Sequence, residues 1–200
     1  FSKKDKGVIF MSDLKIGWSE VSIVPDKKVK LAGQFFERIS EYIETPITAT
    51  AMAIESNSSQ FIICSCDLVR IATNLLELVK KKISEKNNEI DVNSIVIAAT
   101  HTHTSILYDY GNRKNITALS VLKRHLPEGK EYIEKVKDDN ILNPKEALEF
   151  LADRISACID EAWKNRKKAY FSNQFGRAVV GHCRRVVYDD GTAKMWGDSN

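Results

Sequence analysis

Between Thr45 and Thr100 the chain carries two long runs rich in β-branched and small apolar residues, then an amphipathic stretch, then a short run that is almost wholly apolar. The first two runs, "TPITATAMAIES" (Thr45–Ser56) and "QFIICSCDLV" (Gln60–Val69), are separated by the polar "NSS" and fit an antiparallel hairpin. The stretch "NLLELVKKKISEKN" sets apolar residues at 75, 76, 79 and 83, the spacing of a helix laid on a sheet. Ser94–Thr100 comes next, and a buried strand placed after a covering helix belongs to a crossover, parallel to its neighbour. A hairpin and a crossover in one segment require a mixed sheet. The expected fold class is therefore α/β, a layered domain with a mixed β-sheet flanked by helices.

The flanking sequence extends this pattern. Lys15–Val24 alternates as a strand does and is stopped by Pro25-Asp26, and residues 27–45 read as irregular structure around "LAGQ". Residues 106–143 are polar and longer than a connection needs to be, which suggests a lid or active-site wall. The clearest helix begins at Asn143 as N-cap, with Pro144 at N1 and Glu146 at N3, and runs to a Lys/Arg-rich end. Two or three strands come after it, with "VVYDDGTAKMW" as a hairpin turning at Asp190-Gly191. No internal repeat or low-complexity linker divides the chain, so one compact unit is expected.

The charge excludes some partners. Thirty basic and 27 acidic residues give a formal net charge of +3, spread over the whole length rather than gathered into a nucleic-acid-binding patch. No apolar run reaches the ~18 residues of a membrane span, and no adequate signal-peptide core precedes the first strand. Cys64 and Cys66 fall at i and i+2 of one strand and cannot bridge each other comfortably. Cys158 and Cys183 show no tight spacing either, so a reducing, cytoplasmic compartment is expected, or secretion if an upstream signal has been removed.

Two of the four histidines stand together, His101 and His103, where the apolar strand runs out. On a continuing strand they would face one side and converge, a two-pronged metal grip, and strand ends in α/β sheets are where functional residues sit. Neutral imidazole suits zinc, but zinc takes three protein ligands when catalytic. HxH alone reads better as two rings hydrogen-bonded in a polar strand end, and its place at the end of a buried strand brings the metal reading level with that one. His182, Asp67, Asp109 and the cysteines are the further ligand candidates. Asp67 reads best as a cap for Leu68–Asn74, His125 as an exposed bystander, and Arg184 as either a carboxylate or oxyanion clamp or a surface ion pair.

Several of these segments together resemble, in order and spacing, the N-terminal part of the neutral (non-lysosomal) ceramidase family. They are "KIGWSEVSIVPDK" with "LAG", "ITATAMAIES", "FIICSCDLV" and "VNSIVIAATHTHTS", continued by "IDEAWKNRK" and "GRAVVGHCRRVVYDDG". The resemblance covers Leu14 to about Gly197, with "ATHTH" as its specific element, and implies residues 1–13 as an N-terminal extension and 14–200 as the N-terminal part of a ceramidase-like amidohydrolase domain. It implies a zinc-dependent amidase that cleaves an N-acyl bond. By position, His101 would be a Zn2+ ligand, and His103 would line the site and hydrogen-bond substrate or the developing oxyanion. Arg184 matches the family's arginine on a later strand, with Cys183 where an Asn would precede it. The family's "HTHSGP" reads "HTHTSIL" here, without the Gly-Pro turn at the mouth of the lipid pocket, so the small-molecule N-acyl substrate need not be ceramide. The other zinc ligands that the resemblance implies, a His, a Glu and a Tyr, would lie beyond Asn200, so the chain is expected to be an incomplete portion of a larger catalytic domain.

Two other functions remain open on the sequence. One is a non-catalytic module that binds a carbohydrate or similar small ligand in the histidine-lined pocket. The other is a metal-dependent isomerase or epimerase acting on a sugar acid. The sequence carries no signal for oligomeric state.

Overall fold

The structure, a computed structural model, describes residues 13–34, 37–57, 59–109, 124–130, 140–178, 180 and 185–195. Phe10–Tyr170 make up one compact unit, and Phe1–Ile9 with Phe171–Asn200 make up a second.

In the larger unit β1 (Lys15–Ser22), β3 (Thr48–Ser56) and β4 (Ser59–Cys66) run antiparallel to one another. β5 (Ile95–Ala99) lies parallel to β4 after the crossover helix α1 (Thr73–Lys86). The two-residue β7 (Lys167–Lys168) closes the far edge, giving the order β5-β4-β3-β1-β7. The mixed α/β sheet expected from the hairpin and the crossover is thus present. Residues 27–45 are mostly irregular, but β2 (Lys28–Val29) pairs in parallel with β6 (Ile141–Leu142). Most of the 106–143 wall lies outside the described residues.

Helix α2 (Pro144–Lys164) starts on the predicted capping box. The Asn143 side chain accepts from the Glu146 amide at 3.0 Å, and the Glu146 carboxylate accepts from the Asn143 amide at 3.3 Å. Its apolar face, Leu151, Ile155, Ile159 and Trp163 among others, is buried against β1, β3 and α1. The strands it covers present very small side chains. The register aligns Gly17, Ala53, Ile62 and Ile95 in one row, with Ala51, Cys64 and Ile97 in another. At Gly17 a Cβ would stand 2.1 Å from the Ala162 carbonyl oxygen and 2.6 Å from the Arg166 amide, so helix and strand backbones nearly touch. Polar ties reinforce the contact: Cys158 Sγ donates to the Ala49 and Ser19 carbonyls, and Arg154 Nε donates to the Ser22 carbonyl.

The three described cysteines are buried free thiols. Cys64 and Cys66 share a face with sulfurs 3.8 Å apart. The other sheet face carries the row Trp18, Met52, Ile63 and Val96, of which Trp18 and Val96 are exposed. In the second unit β8 (Arg185–Val187) and β9 (Ala193–Met195) form the expected hairpin, with Gly191 at φ +81° in its turn. Among the described residues no helix is long and apolar enough to cross a membrane.

The packing of α2 is open to test at two positions. Gly17→Ala forces backbone apart from backbone and should cost about 1–3 kcal/mol, seen as a lower urea midpoint at unchanged slope. Asp160, almost fully buried on α2, accepts from Lys164, Lys86 and the Asn87 amide. Burial alone would raise its pKa, but these donors outweigh it and bring the carboxyl to about 2. A depressed folded-state pKa stabilises above the ordinary carboxylate range and is lost as pH falls, so Asp160→Asn should flatten the acid limb between about pH 4 and pH 2. An unchanged acid limb in thermal melts would contradict the assignment.

Candidate functional site

The parallel pair β4 and β5 carries both chains to the same end of the sheet, where the segments leaving the two strands grip each other. The Thr100 amide donates to the Cys66 carbonyl at 3.0 Å and the His101 amide to the Leu68 carbonyl at 2.9 Å. Asp67 lies between them: one carboxylate oxygen accepts from the Thr48 amide at 2.9 Å, the other from the Thr100 hydroxyl at 3.0 Å. The capping role expected for Asp67 is therefore corrected. Helix α1 starts only at Thr73, its N-cap Ala72 offers no side-chain cap, and Asp67 instead joins β3, β4 and the residue before His101.

β5 ends at Ala99, so the histidines are not on a strand and the alternation argument for their convergence does not apply. His101 adopts φ +64°, in the left-handed region, and the chain turns at residues 103–105. The rings converge nonetheless. His101 Nδ1 lies 2.8 Å from the Val69 carbonyl, an oxygen that can only accept, so Nδ1 carries the proton and Nε2 keeps its lone pair. That Nε2 stands 3.3 Å from Nε2 of His103, with the ring centroids 5.0 Å apart and the planes at 70°. Both histidines are exposed to solvent.

Further residues complete the site. Gly33, at φ +93°, lies flat against His103: a Cβ there would come within 2.5 Å of the ring carbon Cγ. The Ala32 amide donates to the carbonyl of the fully buried Ser105, and Leu31 bridges to Ile106. Arg38 donates through Nη2 to the Ala32 carbonyl at 3.0 Å and to the His103 carbonyl. On the other side Arg70 pairs with Asp109 at 2.7 Å, and the Tyr108 hydroxyl donates to the Arg70 carbonyl at 2.7 Å while accepting from the Ala72 amide. Burial pushes the Tyr108 hydroxyl above its ordinary pKa. Of these residues only Gly33, in "LAG", and Asp109, a candidate ligand, carried a signal in the sequence.

A tetrahedral zinc binds imidazole nitrogen at about 2.0–2.1 Å, which sets two such nitrogens about 3.3–3.4 Å apart. The observed spacing and the tautomer of His101 match that requirement for two ligands. Among the described residues no cluster of three or more His, Cys, Asp or Glu side chains is placed to hold a metal. Asp67 is occupied by Thr48 and Thr100, and Asp109 pairs with Arg70. His182, Cys183 and Arg184 lie outside the described residues, and His125 is exposed. A cavity of about 560 Å³ opens elsewhere in the larger unit between Lys15, Lys86, Lys164 and Arg166, whose cations are engaged by Asp160 and Glu55.

No protein-family model matches the sequence, and no curated protein matches it. Among solved structures the chain is similar to the neutral ceramidase from Pseudomonas aeruginosa, with TM-score 0.57 and 19% identity over 78% of this chain and 22% of that one. It is also similar to a ceramidase complexed with C2, with TM-score 0.54 and 17% identity over the same shares. The likeness gives a ceramidase-like fold, matching part of a larger domain. The chain spans about a fifth of the length of those proteins.

Gly33→Ala would push the His103 ring off its seat. The expected result is a shifted His103 imidazole resonance with a stability loss of about 1 kcal/mol or more. Unchanged histidine side-chain NMR signals would refute the packing of Gly33 on the ring.

Proposed function

We propose that this chain contributes part of the active site of a zinc-dependent hydrolase that cleaves an N-acyl (amide) bond. The single observation that carries the reading is the pair of Nε2 atoms 3.3 Å apart just beyond the end of β5, on a fold like that of the ceramidases. His101 is the metal ligand: the Val69 carbonyl holds its Nδ1 proton and aims Nε2 outward, the arrangement by which a backbone acceptor orients a ligating histidine. Zinc, when bound, supplies the Lewis acidity that polarises an acyl carbonyl and makes water a nucleophile at neutral pH.

His103 stands close enough to bind substrate beside that ligand. As a neutral imidazole it can donate a hydrogen bond to an oxygen that gains charge, and as a cation it can do so more strongly. Asp67 acts on the site through Thr100, keeping the His101 backbone against the end of β4. Arg184 retains its proposed role as a clamp for a carboxylate or oxyanion. The substrate is a small N-acyl compound, and the chain's "HTHTSIL" favours one without the long lipid chains of ceramide.

His101→Ala in the longest natural form of the protein is expected to remove bound zinc and to lower kcat/KM for an acyl-amide substrate by at least about 1,000-fold, the scale on which a zinc-activated water acts. Metal content by plasma mass spectrometry and a chromogenic amide assay read the two effects separately. Full zinc and full activity in that variant would end the proposal. Zinc-independent binding of a small polar ligand without hydrolysis would replace it with the binding-module reading.

A further inference from the structure

Residues 29–31 and 38–40 run antiparallel to each other. Lys30 and Ile39 form an antiparallel bridge, the Leu31 amide donates to the Arg38 carbonyl, and the Ser40 amide donates to the Val29 carbonyl. This turn carries Gly33 to the face of the His103 ring, and two links hold it there. One is the main-chain pairing across the Leu31–Ile106 bridge, in which the Ala32 amide donates to the Ser105 carbonyl and the Leu107 amide to the Lys30 carbonyl. The other is the Arg38 side chain, whose single Nη2 takes the carbonyls of Ala32 and of His103 itself.

The chemistry of Arg38 is unusual for an arginine so near the surface. Among the described residues it has no carboxylate partner, and its buried Nε has no hydrogen-bond partner. Its placement is therefore set by the two carbonyls, one on each side of the contact between Gly33 and His103. Removing the guanidinium would leave the bonds of Ala32 to Ser105 and of Leu107 to Lys30 between the two segments, and none to the His103 carbonyl, among the described residues.

We infer that Arg38 is a positioning residue for the histidine pair: by tying the Ala32 and His103 carbonyls to one nitrogen it seats the His103 ring on Gly33 and fixes its approach to His101. The consequence for metal binding rests on the zinc-hydrolase reading and on His103 sharing the ion with His101, as their 3.3 Å spacing allows, whereas the seating of the ring does not. Groups that orient a metal site without touching the metal typically change its affinity about 10- to 100-fold when removed.

The experiment compares the longest natural form of the protein with its Arg38→Met variant, which keeps the length and removes the donors, and its Arg38→Lys variant, which keeps a nitrogen donor. Glu37→Gln, which breaks the Lys30–Glu37 pair in the same turn, serves as a control for general loosening. The first readout is the nuclear Overhauser effect between the Gly33 α-protons and the His103 ring proton on Cδ2. The second is the affinity for Co2+, a spectroscopic substitute for zinc. Arg38→Met should lose the Overhauser contact and bind Co2+ about 10- to 100-fold more weakly. Arg38→Lys should recover part of both, and Glu37→Gln should stay within about twofold of wild type, as loss of a pair near the surface has little effect.

Retention of the contact and of Co2+ affinity in Arg38→Met would overturn the inference. A longest natural form that binds no Co2+ would count against the zinc reading, and the Overhauser contact alone would then decide the role of Arg38. Should Arg38→Met fail to fold, Arg38→Gln is read in the same way.

Discussion

The near-contact between helix α2 and strand β1 governs the larger unit. It exists because Gly17 has no side chain and because β3 offers only Ala49, Ala51 and Ala53 toward the helix. A helix that approaches this closely excludes water from the strand backbone, so its polar side chains can bond strand carbonyls directly, as Cys158 and Arg154 do. Burial of α2 also fixes α1, which packs along it, and so sets the path of the crossover that delivers β5 beside β4. The position of the histidines is the last step in that sequence.

Where β4 and β5 end, the controlling element is a carboxylate. Asp67 accepts from an amide of β3 and from the hydroxyl that immediately precedes His101, so three strand ends share one ion. Backbone bonds from Thr100 and His101 to the chain leaving β4 complete the joint. The imidazoles are thus mounted on a rigid strand junction rather than on a free loop, the condition for two rings to hold a fixed separation.

Much of the fold is legible in the sequence because its signals are local. The capping box at Asn143, the turn at Asp190-Gly191 and the apolar spacing of α1 each depend on neighbours within a few residues. The convergence of the two histidines is legible in the sequence, but for an incomplete reason. A period of two presumes a strand, and β5 stops two residues before His101, so the rings meet through a left-handed residue and a turn instead. Asp67 is deceptive because a carboxylate just before an apparent helix start looks like a cap; its partners, Thr48 and Thr100, are distant in sequence. Arg38 gives no signal at all, since its partners are main-chain carbonyls, which every residue possesses.

The left-handed backbone at His101 bears on how the site persists. An L-residue with a bulky ring loses about 1–2 kcal/mol by sitting at φ +64°, where glycine would sit freely and asparagine more easily. Folding alone would favour replacing this imidazole, so the fold bears a standing cost for keeping it. Glycine or asparagine at this position would return that cost to the folded chain, and a histidine there brings its Nε2 to the pair at the expense of stability.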